Sequence, residues 1–431
     1  MANITKPVIL DETGIRIAAA IEALAGGGGD SKEIYAVHYS ENDSSPASVN
    51  YPAGYDNSSF TNPAYMDFAN DAFNWGDWET KKSGLITPRS CMVKYDGSVD
   101  YYLDEDDETK KESGAASDVA DSSYAGNAMV EWAKEDKKIY WKLVPDSDGL
   151  GWTFVVANYR PDSSFFPWNH YNCEGNAADH WYGAKYFGSS DGTRLRSISG
   201  GTNYVNTATA DEVSKAEANN LNANKKIWTI ETYADWLFEY LMMVLLSKST
   251  NTQAKYGAGR CKSTNNAAIG QGTMNGKGIM WGSNDETSGV KIFGRENNYG
   301  NLWRRLYGLI NVSGTIKIKL TYGQQDGSGV DGYNLTGENY ISHGSIGGTS
   351  GGYISAMNIT NRGLTPKTIS GTDSTYYCDG GWFNNSQTNI ALVGGYWGGG
   401  SGVGGALCSL GGPAASADAY RGAALSCKPL A

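Results

Sequence analysis

The apolar positions of this chain follow two different periods. Over residues 231–247, Trp236, Tyr240, Met243 and Val244 fall on one helical face, with Leu237, Leu241 and Leu245 beside it. That spacing predicts a helix buried on nearly all sides. A second helical stripe, Leu10, Ile17, Ile21 and Leu24, starts at the candidate N-cap Asp11, with Glu12 in the first turn. About four turns are not stable alone in water. The stripe therefore predicts a short helix that holds copies together or attaches the protein, ahead of a hinge at Gly26–Gly29. Elsewhere the short runs alternate or read as strands: Glu33–Tyr39, Lys138–Val144, Thr315–Thr321, Ile390–Val393 and Ala423–Cys427. The expected organisation is a helix and hinge over 1–30, a β-rich part over 31–226, and a further domain over 227–431. The β-rich part is either a domain of its own or a set of insertions in the last one.

Composition sharpens this picture. Glycine accounts for 56 of 431 residues, aromatics for 12% and charged residues for 19%, against a norm of about 25% charged. So many aromatics exclude a disordered chain, and so much Gly excludes a mostly helical one, leaving a loop-rich, largely β protein. A net charge of -11 argues against nucleic-acid binding, which needs clustered Lys and Arg. The longest apolar run, Leu241–Leu246, is too short to span a membrane. Met1–Lys6 has no basic region followed by an apolar core, so no signal peptide is expected and synthesis is placed in a cytoplasm.

Candidate chemistry is sparse. Cys91, Cys173, Cys261, Cys378, Cys408 and Cys427 include no C-x-x-C pair, which favours free thiols over a disulfide from Cys408 to Cys427 or Cys378. His38, His170, His180 and His343 stand singly, so neither a metal site nor any other cofactor is expected. Asp179-His180 reads as a structural pair rather than part of a hydrolase. The acidic run from Asp104 to Asp118 reads as a solvated loop, and Asp146-Ser-Asp148-Gly149 lacks the remaining ligands of a calcium loop. Gly400, Gly402 and Gly405 spell G-x-G-x-x-G, but Pro413 and the glycines before it break any following helix.

The most specific string is Gly294-Arg-Glu296-Asn297-Asn-Tyr-Gly300-Asn301-Leu-Trp303. It resembles the G-x-E-N-x-x-G-N-x-W-E-W signature of the C-type-lectin-like fold in its formylglycine-generating-enzyme branch, with Arg304-Arg305 standing where that family has E-W. The C-terminal run Ile390-Ala-Leu-Val-Gly-Gly395-Tyr-Trp397, closing on Arg421-Gly-Ala-Ala-Leu-Ser-Cys427, is similar to the last segment of phage tail-tip receptor-binding proteins. These include the variable proteins of diversity-generating retroelements, the major tropism determinant class. Together the motifs cover roughly residues 227–431. Such retroelements mutate adenines, chiefly in AAC-type codons. Between Tyr396 and Arg421 there is no Lys, Glu, Gln or Met, and only Trp397 falls outside the reachable set.

The resemblance implies an α+β, C-type-lectin-like fold with one or two helices, and Gly294, Glu296, Asn297, Gly300, Asn301, Trp303 and Trp397 as its signature. It implies a trimeric phage tail-tip adhesin, not an enzyme, carried on the virion. Its partners would be a host-cell surface receptor (protein or glycan), copies of itself and other tail proteins. The expected receptor-binding positions are Tyr396, Gly398, Gly399, Gly402, Ser409, Gly411, Gly412, Asp418 and Tyr420, whose Tyr, Gly and Ser content is that of a paratope. Trp382 and Trp397 are expected in the core. Two alternatives are a structural tail or decoration protein and a bacterial surface protein with the same fold. The enzyme of the family uses a close cysteine pair, and no such pair stands here.

Overall fold

The expected helix forms over Tyr233–Ser247 in the computed structural model, and every one of its residues is buried. The structure describes residues 32–82, 84–134, 137–347 and 351–430; the stripe at Leu10–Leu24 and its hinge lie outside them. Thr232 caps the helix, its side chain accepting the Asp235 N–H at 3.3 Å. Lys248, at φ 51°, closes it in the left-handed region. A helix that is apolar all round needs walls on all sides. Part of the wall is aromatic: Trp132 and Trp181 stack at 5.7 Å, and both meet Phe238 edge-on, at 5.0 and 5.4 Å.

Two large sheets supply most of the remaining core. One runs in the order Trp228–Ile230, Leu425–Cys427, Trp181–Ala184, Gly126–Trp132, Arg89–Lys94, Val99–Tyr102. It thus joins strands from both sides of residue 227, and the chain from Ile34 onward is one compact unit. The other, of eight strands, runs Ile341–Ser345, Thr315–Ile318, Trp303–Val312, Thr388–Val393, Cys408–Gly412, Gly380–Phe383, Gly351–Tyr353, with Arg421–Gly422 alongside Trp303. Thr315–Ile318 is alternately half-buried and buried, as its period-two pattern requires.

The expected α+β class does not stand. Strands take up 32% of the structure and helices 10%, and the architecture is β-rich rather than a lectin-like α+β arrangement. The physical reason is that a helical period sustained over several turns occurs once in the described chain. The other α-helices, Thr209–Glu217 and Thr252–Tyr256, have nine and five residues, too few to form a layer against a sheet.

The acidic run is also corrected. Most of it is at the surface, but Glu108 is fully buried, where it pairs with Lys185 and, at 2.8 Å, with Lys291, both equally buried. The two ammonium groups draw this one carboxylate out of the solvated loop. All six cysteines are free thiols. Asp179 pairs with Lys138 at 2.6 Å.

His170 carries a pH prediction. It is fully buried, its Nε2 accepting the Ile139 N–H at 2.9 Å while Nδ1 faces the Ala178 carbonyl at 2.9 Å. Burial lowers its pKa from the ordinary 6.5 to about 3. A base whose folded pKa is depressed gives stability that is present above its unfolded pKa and lost as pH falls towards the folded value. Below about pH 6.5 this one group should cost about 1.4 kcal/mol per pH unit. Denaturant midpoints of the wild type and His170→Asn between about pH 7 and pH 4 check this. The acid slope should be shallower by about one proton in the variant.

Candidate functional site

Four neighbouring strands of the eight-stranded sheet place the C-terminal residues on one surface. Arg305 pairs with Leu392, Leu392 with Ser409, and Ser409 with Trp382, so the last three stand side by side across the strands. Gly411 lies two residues beyond Ser409 on the same strand and faces the same way. At the other border, Trp303 pairs with Arg421 in parallel, and the Trp303 N–H donates to the Tyr420 carbonyl at 2.9 Å.

The result is a cleft of about 340 Å³. Tyr396, Gly398, Gly399, Ser409, Gly411, Gly412 and Tyr420 line it together with Trp303, Trp382, Leu392 and Arg421. Two expected residues stand just outside. A Cβ on Gly402 would touch Trp382 Cη2 at 3.6 Å, and Asp418 pairs with Arg421 Nε at 3.0 Å. The aromatic wall is continuous: Trp303 stacks on Tyr396 at 6.3 Å, Tyr396 meets Tyr420 at 4.7 Å, and Trp382 meets Trp303 edge-on at 5.8 Å. Tyr396, Tyr420 and Asp418 are half-buried rather than fully exposed.

Trp382 departs from expectation most. It is 37% exposed, not core. Its ring lies across glycines: a Cβ on Gly351 would fall 2.2 Å from its Cδ1, and one on Gly380 2.8 Å from its Cη2. Only strands bare at those positions let an indole lie down on the sheet. Trp397 is half-buried and packs on Tyr396 at 5.3 Å. Sequence reasoning missed Leu392 and Arg421 as cleft residues and read Trp303 only as an anchor. The glycines at 351 and 380, each interrupting a strand pattern, were the available signal for Trp382.

The signature string braces this surface from behind. The Gly300 N–H donates to the Gly394 carbonyl at 2.7 Å, and the Trp397 N–H to the Asn301 carbonyl at 3.1 Å. Gly300 must be glycine, since its φ is +75° and a Cβ would sit 2.8 Å from the Arg260 backbone nitrogen. The Asn301 side chain accepts the Ile269 N–H at 2.8 Å. Glu296 accepts the N–H groups of Gly272 and Met274, both at 2.8 Å. Gly294, at φ +78°, leaves room for Val130 Cγ2, 3.2 Å from where a Cβ would be. Asn297 takes the left-handed conformation at φ 55°, which Asn tolerates well.

Arg304 and Arg305, the departure from the family pattern, are both answered by buried carboxylates. Arg304 Nε donates to Glu231 at 2.8 Å, and Arg295 bridges Glu231 and Glu239 at 2.8 and 2.7 Å. Burial opposes the charge on Glu231, but the two guanidiniums outweigh it and hold its pKa at about 2. Arg305 pairs with Glu212 and donates to the Ser416 carbonyl. The loop that leads to Asp418 and Tyr420 is thus tied to the helix Thr209–Glu217, and Thr209 N–H adds a bond to Ala414 O at 2.9 Å. Beneath the other loop, Asp379 accepts the Ala406 N–H at 2.7 Å. Burial holds its carboxyl well above the ordinary range.

No carboxylate, imidazole or thiol lines the cleft. The glycines divide into two groups. Gly394 and Gly395 have φ +80°, and a Cβ on Gly404 or Gly405 would strike Asp379 or Met243 at 2.0 and 2.6 Å. Gly398, Gly399, Gly402, Gly411 and Gly412 all keep φ outside the positive region. At Gly402 and Gly411 an added Cβ meets nothing closer than 3.6 and 3.7 Å. At Gly398, Gly399 and Gly412 it would come within 2.9, 2.6 and 2.9 Å of the Tyr396, Val403 and Arg421 side chains, so Gly411 is the lining glycine that combines ordinary backbone with open space. No helix among the described residues is long and apolar enough to cross a membrane. The chain matches no protein-family profile and no curated protein sequence.

Proposed function

We propose that this protein is a phage tail-tip adhesin that binds a host-cell surface receptor through its C-terminal cleft, on a face diversified by a retroelement. The observation that carries the reading is the convergence of residues 396–420 on one aromatic cleft, with a substitutable position at Gly411 inside it and constrained glycines behind it. A diversified surface needs that division, because random side chains are tolerated only where the backbone is ordinary and space is open. Binding proceeds without turnover. Tyr and Trp supply rigid contact area, and repeated copies on one virion multiply modest single-site affinities.

Sequencing the gene with its flanking DNA from a population tests the diversification. The expected result is substitutions concentrated at adenine-derived codons between 396 and 421, with a near-copy template and a reverse transcriptase gene nearby. An invariant segment with no template would overturn it.

A further inference from the structure

The cleft's lining narrows the class of ligand. Its volume of about 340 Å³ lies at the small-molecule end of ligand sites, about 300–1,000 Å³. It has room for one or two small rings. Its floor is an indole laid flat over Gly351 and Gly380 and 37% open to solvent. Around this floor stand the hydroxyls of Ser409, Tyr396 and Tyr420. Neither these hydroxyls nor the Trp382 N–H donates or accepts a hydrogen bond among the described residues. The one charged lining group, Arg421, already faces Asp418 at 3.0 Å and lies 5.5 Å from the Tyr420 ring.

These features suit a flat, uncharged ligand with an apolar face and a rim of hydroxyls. A lipid chain would leave four polar groups unpaired, which is unfavourable once they are desolvated. A quaternary ammonium would meet Arg421 where an aromatic cage needs no cation. A pyranose ring has the right faces: its axial C–H bonds lie on the indole and its hydroxyls reach the rim. Resting on the adhesin reading above, we propose that the cleft binds a pyranose ring of a cell-surface glycan, stacked on Trp382 and hydrogen-bonded by Ser409, Tyr396 and Tyr420.

The test uses the full chain with two probes. In saturation-transfer NMR, methyl pyranosides of neutral hexoses, 6-deoxyhexoses and N-acetylhexosamines are added to the protein. At least one should bind, and Trp382→Ala and Gly411→Tyr should each weaken it at least tenfold. Gly411→Tyr fills the cleft from a position with ordinary backbone, so its unfolding midpoint should match the wild type and loss of binding cannot be a folding defect. In parallel, host cells treated with periodate should lose adsorption of the protein, while protease-treated cells should keep it. Adsorption that survives periodate but not protease, with no pyranoside bound, would overturn the glycan and leave the adhesin reading intact. Pyranoside binding unchanged by Gly411→Tyr would also overturn it, by placing the sugar elsewhere. A pyranoside bound in the cleft by a protein that adsorbs to no cell would uphold the ligand class and refute the adhesin.

Discussion

Glu108→Ala should destabilise the protein by about 3–5 kcal/mol, the usual cost of removing one partner from a buried ion pair. The substitution leaves Lys185 and Lys291 facing each other with no ion-pair partner, and both are fully buried. Lys291 is already held below the ordinary lysine range by burial and by the Lys185 ammonium. Their remaining hydrogen-bond acceptors are neutral, the Gly294 carbonyl at 2.6 Å from Lys185 and the Met274 carbonyl at 3.0 Å from Lys291, and the buried Glu296 carboxylate acts on them only through space. Ser90 would also lose its acceptor, now at 3.0 Å. Because Lys185 holds Gly294 at the start of the signature string, the damage should extend towards Trp303 and the cleft. Denaturant unfolding of the variant measures the effect. A loss below about 1 kcal/mol, the range of exposed pairs, would mean that the lysines do not depend on this carboxylate.

Gly395→Ala and Gly411→Ala should behave oppositely, although both lie in the glycine-rich C-terminal segment. Gly395 has φ +80°, and a Cβ there would sit 2.5 Å from Leu407 Cδ2 and 2.8 Å from Val403 Cγ2. The left-handed backbone costs about 1–2 kcal/mol and overpacking about 1–3 kcal/mol, so a loss of about 2–5 kcal/mol is expected. At Gly411 the nearest atom to an added Cβ is 3.7 Å away, and the change should stay within about 0.5 kcal/mol. Equal effects in thermal unfolding would refute the division between the fixed frame and the substitutable position at Gly411.

What the sequence revealed and what it hid follow from the range of the interactions. The central helix was legible because its seventeen-residue apolar pattern is local; it forms over Tyr233–Ser247, two residues short at the N-terminal end, where Thr232 takes the cap. The cleft was legible in composition, since Tyr, Ser and Gly at 396–420 mark a contact surface wherever the chain runs. Trp382 was not, because its exposure depends on bare positions at Gly380 on its own strand and at Gly351 on the next. Glu108 was hidden for a similar reason. Its partners lie 77 and 183 residues away, and an acidic run looks solvated until two distant lysines are brought to it. The α+β class misled because the signature string describes a local turn and brace, which the eight-stranded sheet uses without a helical layer.

The central claim is that the cleft attaches this protein to cells. The direct measurement is adsorption of fluorescently labelled full chain to a panel of bacterial strains, wild type against Gly411→Tyr, read by flow cytometry. The account predicts saturable binding to particular strains, lost at least tenfold in the variant while its unfolding midpoint stays unchanged. Saturable adsorption that Gly411→Tyr leaves intact, or no adsorption to any strain, would contradict it.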